Sequence, residues 1–199
     1  MTHSKLHSSS GERGEPIRQR VLDAAERLLR SGKAEFSMRD LSAEAGVSFA
    51  TPFNQFSSKA GIMHALSGRR IDTMRSRLSD MALPVDATAR VRLAVETAVA
   101  VMLKEPEVNR AVMGWIGTAG PSQGDALARS TAYWTLALTG QDEGGERCPP
   151  HARDALPLQL ALAFRGALSF WTAGELPDKK LRPTALAIAE ALMSAATSL

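Results

Sequence analysis

One short run of side chains has the types and spacing to read a nucleic-acid groove. Ser48, Thr51, Asn54 and Gln55 bring hydroxyls and amides, Phe49 and Phe53 bring flat apolar rings, and Lys59 follows with a positive charge. A side-chain amide holds a donor and an acceptor side by side, which suits the paired edge of adenine. Asn54 and Gln55 are therefore the candidates for base contact. Phe49 and Phe53 stand four apart, as do Ala50 and Asn54, so on a helix these pairs share one face. Two phenylalanines on a surface segment require a partner to cover them. Ser57-Ser58 can cap the helix that follows, where a phosphate would meet free backbone N–H groups and the Lys59 ammonium together.

The stretch Ser37 to Lys59, SMRDLSAEAGVSFATPFNQFSSK, positions these groups. Ser37 can cap a first helix by accepting from the free N–H groups of its first turn. Met38, Leu41 and Ala45 then repeat at helical spacing. Gly46 sits just past them, where a left-handed cap is cheapest for glycine, and Val47 plugs the angle that follows. Ser48 can cap a second short helix, Phe49 to Phe56. This is the pattern of a helix-turn-helix, whose second helix nearly fills a DNA major groove. Pro52 leaves two registers open. With Ser48 as the cap, the preferred register, Pro52 is the fourth helical residue and forfeits the bond to the Ser48 carbonyl. With Thr51 as the cap, Pro52 opens a helix of barely one turn. A supporting helix over Pro16 to Arg30 carries Ile17, Val21, Ala24, Ala25 and Leu28 on one face.

Ala45-Gly46-Val47-Ser48, Thr51, Phe53, Phe56 and Lys59 stand where a known signature has its fixed residues. The segment AGVSFATPFNQFSSKAGIM resembles the TetR family of bacterial transcriptional regulators. The likeness covers about residues 16 to 65 well, and the rest by gross layout. It implies an all-α protein with an N-terminal three-helix DNA-binding domain joined to a larger helical ligand-binding and dimerisation domain. The implied DNA-facing set is Ser37, Arg39, Ser48, Phe49, Ala50, Thr51, Phe53, Asn54, Gln55 and Lys59. In the family, hydroxyls at the positions of Ser48 and Thr51 and the Lys59 charge serve phosphates. Phe53 stands where tyrosine is common, so a phosphate hydrogen bond is lost and apolar contact, such as with a thymine methyl, remains. Pro52 replaces a usual aliphatic.

The chain has 199 residues, 44% of them hydrophobic, enough for a sizeable core, and a net charge of +3. The positive charge is concentrated before residue 80, which suits a polyanion at one end. No apolar run approaches the roughly 20 residues of a membrane span, and no secretory signal is visible. With one cysteine, Cys148, no internal disulfide forms, and a cytoplasmic location is expected. Residues 1–14 read as a flexible arm, 15–60 as the DNA-binding domain and 61–199 as the ligand-binding and dimerisation domain. A long helix is expected over Ala60–Met81. Beyond Pro84 come Asp86–Lys104, Pro106 to about Gly117, Asp125–Thr139, His151–Gly174 and Pro183–Ser198, making about nine helices in all.

Aromatic residues and methionines gather in this second part, and they suit an apolar ligand cavity. Met102, Trp115, Trp134 and Phe164 are the expected pocket residues, and the scarcity of acids favours a mainly apolar effector over a polycation. The last two helices offer Leu160, Leu168 and Trp171, then Leu186, Ala189, Leu192 and Met193, as the expected homodimer interface. There is no Gly-rich phosphate loop, metal-spaced His/Cys cluster or nucleophile elbow, so neither cofactor nor metal nor catalysis is expected. The function expected is a repressor released from a near-palindromic operator by a small effector. The alternatives are a non-specific DNA-binding or protein-interaction module and, further off, a helical enzyme.

Overall fold

The computed structural model describes residues 9–117, 125–140 and 150–197, with side chains described over 15–117, 125–140 and 155–196. The nine regular elements among the described residues are all α-helices: α1 (Ser9–Arg30), α2 (Met38–Ala45), α3 (Ala50–Phe56), α4 (Lys59–Ser79), α5 (Ala87–Leu103), α6 (Pro106–Met113), α7 (Ala126–Thr139), α8 (Pro150–Thr172) and α9 (Asp178–Thr197). The chain divides between Ala65 and Leu66 into two compact units. The division falls inside α4, past the boundary expected at residue 60. No helix of the described residues is long and apolar enough to cross a membrane.

In the first unit α1 packs on α2 and α3, and α2 packs on α3. Val21, Ala24, Ala25 and Leu28 of α1, with Phe36, Leu41, Ala45 and Phe56, are buried as the pattern requires, whereas Ile17 is 36% exposed. α1 opens seven residues before the proline expected to start it, so part of the expected arm is helical. Residues 1–8 of that arm lie outside the described residues. Pro16 stands at a solvent-exposed position, and the Gln19 amide donates to the Glu15 carboxylate across its turn. α1 and α2 end alike. Lys33 N–H reaches the Leu28 carbonyl and Val47 N–H reaches the Ser42 carbonyl, both at 3.0 Å. The glycine before each donor, Gly32 or Gly46, takes the left-handed conformation that this closure needs.

In the second unit α8 packs against α7 and α9, α9 against α5, and α5 against α7, closing a ring of four helices. Its core includes Val95, Ala98, Met102, Tyr133, Trp134, Leu160, Phe164 and Ala189. Asp86 starts α5 by accepting the Ala89 N–H at 2.7 Å. The buried Asn109 of α6 donates to the Met102 carbonyl at 2.8 Å, satisfying an end of α5 that would otherwise lack a partner. α9 begins at Asp178 rather than Pro183. The Trp171 indole donates to the Asp178 carboxylate at 2.8 Å. Arg110 pairs with the same carboxylate while its guanidinium lies 4.6 Å from the Trp171 ring centroid. Leu181 is fully buried one turn on. These contacts hold a helical turn ahead of the exposed proline.

The residues expected at a dimer interface mostly belong to this core. Leu160, Leu168, Trp171, Ala189 and Met193 are buried within the single chain, and Leu186 and Leu192 are half-buried. α8 has apolar residues on both its inner and outer sides, and periodicity alone does not say which side turns inward. The large apolar residues left outside on α8 are Leu158, Leu162 and Phe170, exposed by 39%, 54% and 58%. Asp178→Ala should lower unfolding stability by about 1–3 kcal/mol, because it strands the indole N–H and removes one of the arginine's two carboxylate partners. Urea denaturation should show a lower midpoint with an unchanged slope.

Candidate nucleic-acid interface and body cavity

The local chemistry that presents α3 begins at Ser37. Its hydroxyl accepts the Asp40 N–H at 3.1 Å, and its own N–H donates to the Asp40 carboxylate at 2.8 Å, a reciprocal capping box. These bonds hold the exposed Asp40 carboxyl below its ordinary range. Arg39 projects beside it, exposed. After the Gly46 turn, Phe49 is already helical (φ −54°, ψ −35°) and α3 follows from Ala50. Residues 49 to 51 are therefore not extended, which removes the register in which Thr51 caps. Ser48 does not cap through its side chain, however. Its hydroxyl pairs with that of Thr51 at 2.8 Å, and its carbonyl accepts the Thr51 N–H at 3.0 Å. Pro52 has no N–H and makes no bond to the Ser48 carbonyl, but the tightened first turn gives that carbonyl the Thr51 N–H instead, so it is not left without a donor. Pro52 itself is buried as an inward-packing residue.

Neither phenylalanine folds back into the core. Phe49 and Phe53 are 54% and 40% exposed and meet edge to face, with centroids 5.3 Å apart. Ala50 and Asn54 are exposed beside them, while Thr51 and Gln55 are half-buried. The Gln55 carbonyl accepts from Arg18 at 3.0 Å, and the Arg18 guanidinium lies 4.3 Å from the Phe56 ring centroid. Arg18 thus ties α1 to the end of α3. Lys59 is tied as well. Its ammonium donates to the Ala34 carbonyl at 2.7 Å, sits 4.7 Å from the Phe36 ring centroid and lies 3.7 Å from the Glu35 carboxylate. It braces the loop between α1 and α2.

The turn from α3 to α4 is the tightest point of the unit. Ser57 takes a positive φ of 62°, rare outside glycine, and its N–H donates to the Phe53 carbonyl at 2.8 Å. Ser58 caps α4 by accepting the Gly61 N–H at 3.1 Å. A Cβ at Gly61 would run into the Phe56 carbonyl oxygen, so glycine lets α4 start directly beneath the end of α3. Sequence reasoning missed Gly61, although a lone glycine early in a helical pattern signals close packing.

In the second unit a cavity of about 190 Å³ is lined by residues of α4, α5, α6, α7 and α8. Met102, Trp134 and Phe164 are on its wall as expected. Trp134 and Phe164 meet edge to face at 5.6 Å. Trp115 is not on the wall. It follows the end of α6 and is half-buried, and Met113 and Ile116, spaced by one helical turn, take the lining positions instead. Sequence reasoning also missed the polar members, Ser67, Arg70, Ser130, Tyr133 and Arg165. Tyr133 donates to the Ala94 carbonyl at 2.7 Å, and burial pushes its phenol well above the usual range.

The described residues thus form a helix-turn-helix unit, with a capped turn before its second helix, and a separate helical unit. Residues 21–66 match the family model described as bacterial regulatory proteins, tetR family. Residues 21–66 are thus similar to the TetR family, and the chain shares its fold with a TetR regulator over 90% of its length. A TetR transcriptional regulator from Rhodococcus sp. RHA1 superposes with a TM-score of 0.73 at 19% identity, over 90% of this chain and 97% of that one. A protein of unknown function from Rhodococcus sp. RHA1 gives 0.57 at 20% identity, over 98% and 100%. At these identities the likeness is one of fold. No curated protein matches the sequence. Gly61→Ala should force α3 and α4 apart. Thermal melting should show a loss of about 1–3 kcal/mol, the scale of overpacking, with weaker DNA binding alongside.

Proposed function

We propose that the protein is a homodimeric repressor that leaves a near-palindromic operator when a small, mainly apolar effector enters the body cavity. The observation that carries this reading is the outward face of α3. Two exposed phenyl rings and the Asn54 amide stand together on a helix whose ends are fixed by Arg18, Lys59 and Gly61. Asn54 and Gln55 read base edges, Phe49 and Phe53 cover thymine methyls or sugars, and Ser37, Arg39, Ser48, Ala50 and Thr51 border the phosphates. Lys59 contributes charge at the rim while bracing the domain. Two such helices a DNA turn apart would read the two half-sites.

The second copy is supported by the outer side of the last two helices. Leu158, Leu162, Gly166 and Phe170 form a ridge along α8 at four-residue spacing, and Ala187, Ala191 and Ala195 do so on α9. Leucine and phenylalanine knobs facing alanine grooves are the ingredients of a packed helix bundle. The effector acts through α4, whose residues Ser67, Arg70, Ile71 and Met74 line the cavity and whose first turn holds Lys59 and Gly61. Filling the cavity shifts that helix and lowers operator affinity by a coupling of about 1–3 kcal/mol.

Selection from random duplexes followed by mobility-shift titration tests the reading. A preferred near-palindrome that survives raised salt is expected, whereas equal binding to all sequences would instead mark a non-specific module. Asn54→Ala should relax base preference at its position by about 1–3 kcal/mol. Lys59→Ala should weaken binding to every sequence alike and also lower the melting temperature. Phe170→Glu should give a folded monomer in sedimentation, with operator binding lost at concentrations where the parent binds.

A further inference from the structure

The cavity wall holds two guanidinium groups and no carboxylate. Arg70 and Arg165 line it together with methionines, leucines and aromatic rings, and none of its lining residues is acidic. The sequence between Gly117 and Asp125, which joins two of the lining helices, contains no acidic residue either. Arg70 is held in place by Asn109, whose carboxamide oxygen accepts its Nε–H at 2.7 Å and whose nitrogen is anchored on the end of α5. Arg165 donates through Nη2 to the Ile116 carbonyl, but its Nη1 is buried with no hydrogen-bond acceptor among the described residues. The indole N–H of Trp134, on the same wall, is also buried without an acceptor. Burial lowers the Arg165 pKa from its ordinary value, yet a guanidinium stays charged at any physiological pH.

A half-buried cation without a carboxylate, beside a buried donor without an acceptor, is costly in an apolar wall. Both costs are relieved by the same kind of ligand. We infer that the cavity takes a small apolar acid, with its hydrocarbon part among Met102, Trp134 and Phe164 and its carboxylate received by Arg165, with Arg70 alongside. The planar guanidinium fork matches a carboxylate in two parallel bonds. A phosphate ester would bring a second charge and a larger hydration shell into a cavity of about 190 Å³ that is otherwise mainly apolar. This rests on the proposed reading of the cavity as the effector site, and it gives the mainly apolar effector an anionic group.

Octanoate and 1-octanol, equal in chain length and different in charge, separate the two ideas. Each is titrated calorimetrically into the full-length protein, and thermal shift is read in parallel. Octanoate should bind about tenfold or more tightly than 1-octanol, the scale of a hydrogen-bonded charge pair. In Arg165→Met the ratio should collapse towards one, and in Arg165→Lys it should fall only in part, because the charge remains but the fork is lost. If Arg165→Met does not fold by circular dichroism, the lysine variant and Arg70→Met carry the comparison, each with a reduced ratio. A parent protein that binds 1-octanol as well as octanoate overturns the anionic inference and leaves the cavity as an apolar effector site. A parent protein that binds neither overturns both readings.

Discussion

The position of α3 depends on one close approach: the Phe56 carbonyl against the backbone of Gly61. A seven-residue helix has too few internal bonds to hold itself. Its stability and its direction come from the joints at either end. At the start, Gly46 turns the chain in a conformation that only glycine takes without cost. At the end, Ser57 accepts a positive φ and Gly61 makes room for the carbonyl above it. Arg18 and Lys59 then lash that end to α1 and to the loop before α2. Arg18 and Lys59 are therefore structural before they are anything else, and the outward face of α3 is left to amides, hydroxyls and phenyl rings.

The body follows a different logic. Its four-helix ring is built on large apolar residues, and several polar groups inside it tie one helix to another. Asn109 satisfies the end of α5, Tyr133 satisfies the Ala94 carbonyl and Asp178 receives Trp171. Buried polar groups are costly unless they are matched, so such matches fix one packing among many. Arg165 and Trp134 break this pattern on the wall of the cavity, and Thr172 breaks it elsewhere on α8. Where a scaffold satisfies most of its buried donors, the few it leaves open point to a ligand.

The sequence made the first domain legible almost residue by residue. The Ser37 cap, the Gly46 turn, the Ser58 cap and the shared face of Phe49 and Phe53 are all local, set by side chains within a turn or two of one another. The body's helix order was legible too, because Asp86, Pro106 and Asp125 punctuate it. Tertiary contacts were not. Pro16 and Pro183 looked like helix starts, yet α1 begins ahead of the first and Asp178 anchors a turn ahead of the second. Leu160, Leu168 and Trp171 looked like an interface because periodicity marks an apolar face without saying what covers it. Lys59 looked available because the loop that takes its charge precedes it by more than twenty residues.

The phenyl rings on α3 have one more consequence, a thermodynamic one. An arginine- or lysine-rich reading surface draws its affinity from displaced counterions, and its binding fades steeply as ionic strength rises. Phe49 and Phe53 instead expose apolar area that leaves water when a surface closes over them. Association through such a face carries a negative heat-capacity change and a flatter response to salt. Its enthalpy then becomes more favourable as temperature rises, a mark that contacts made through phosphates alone would not leave.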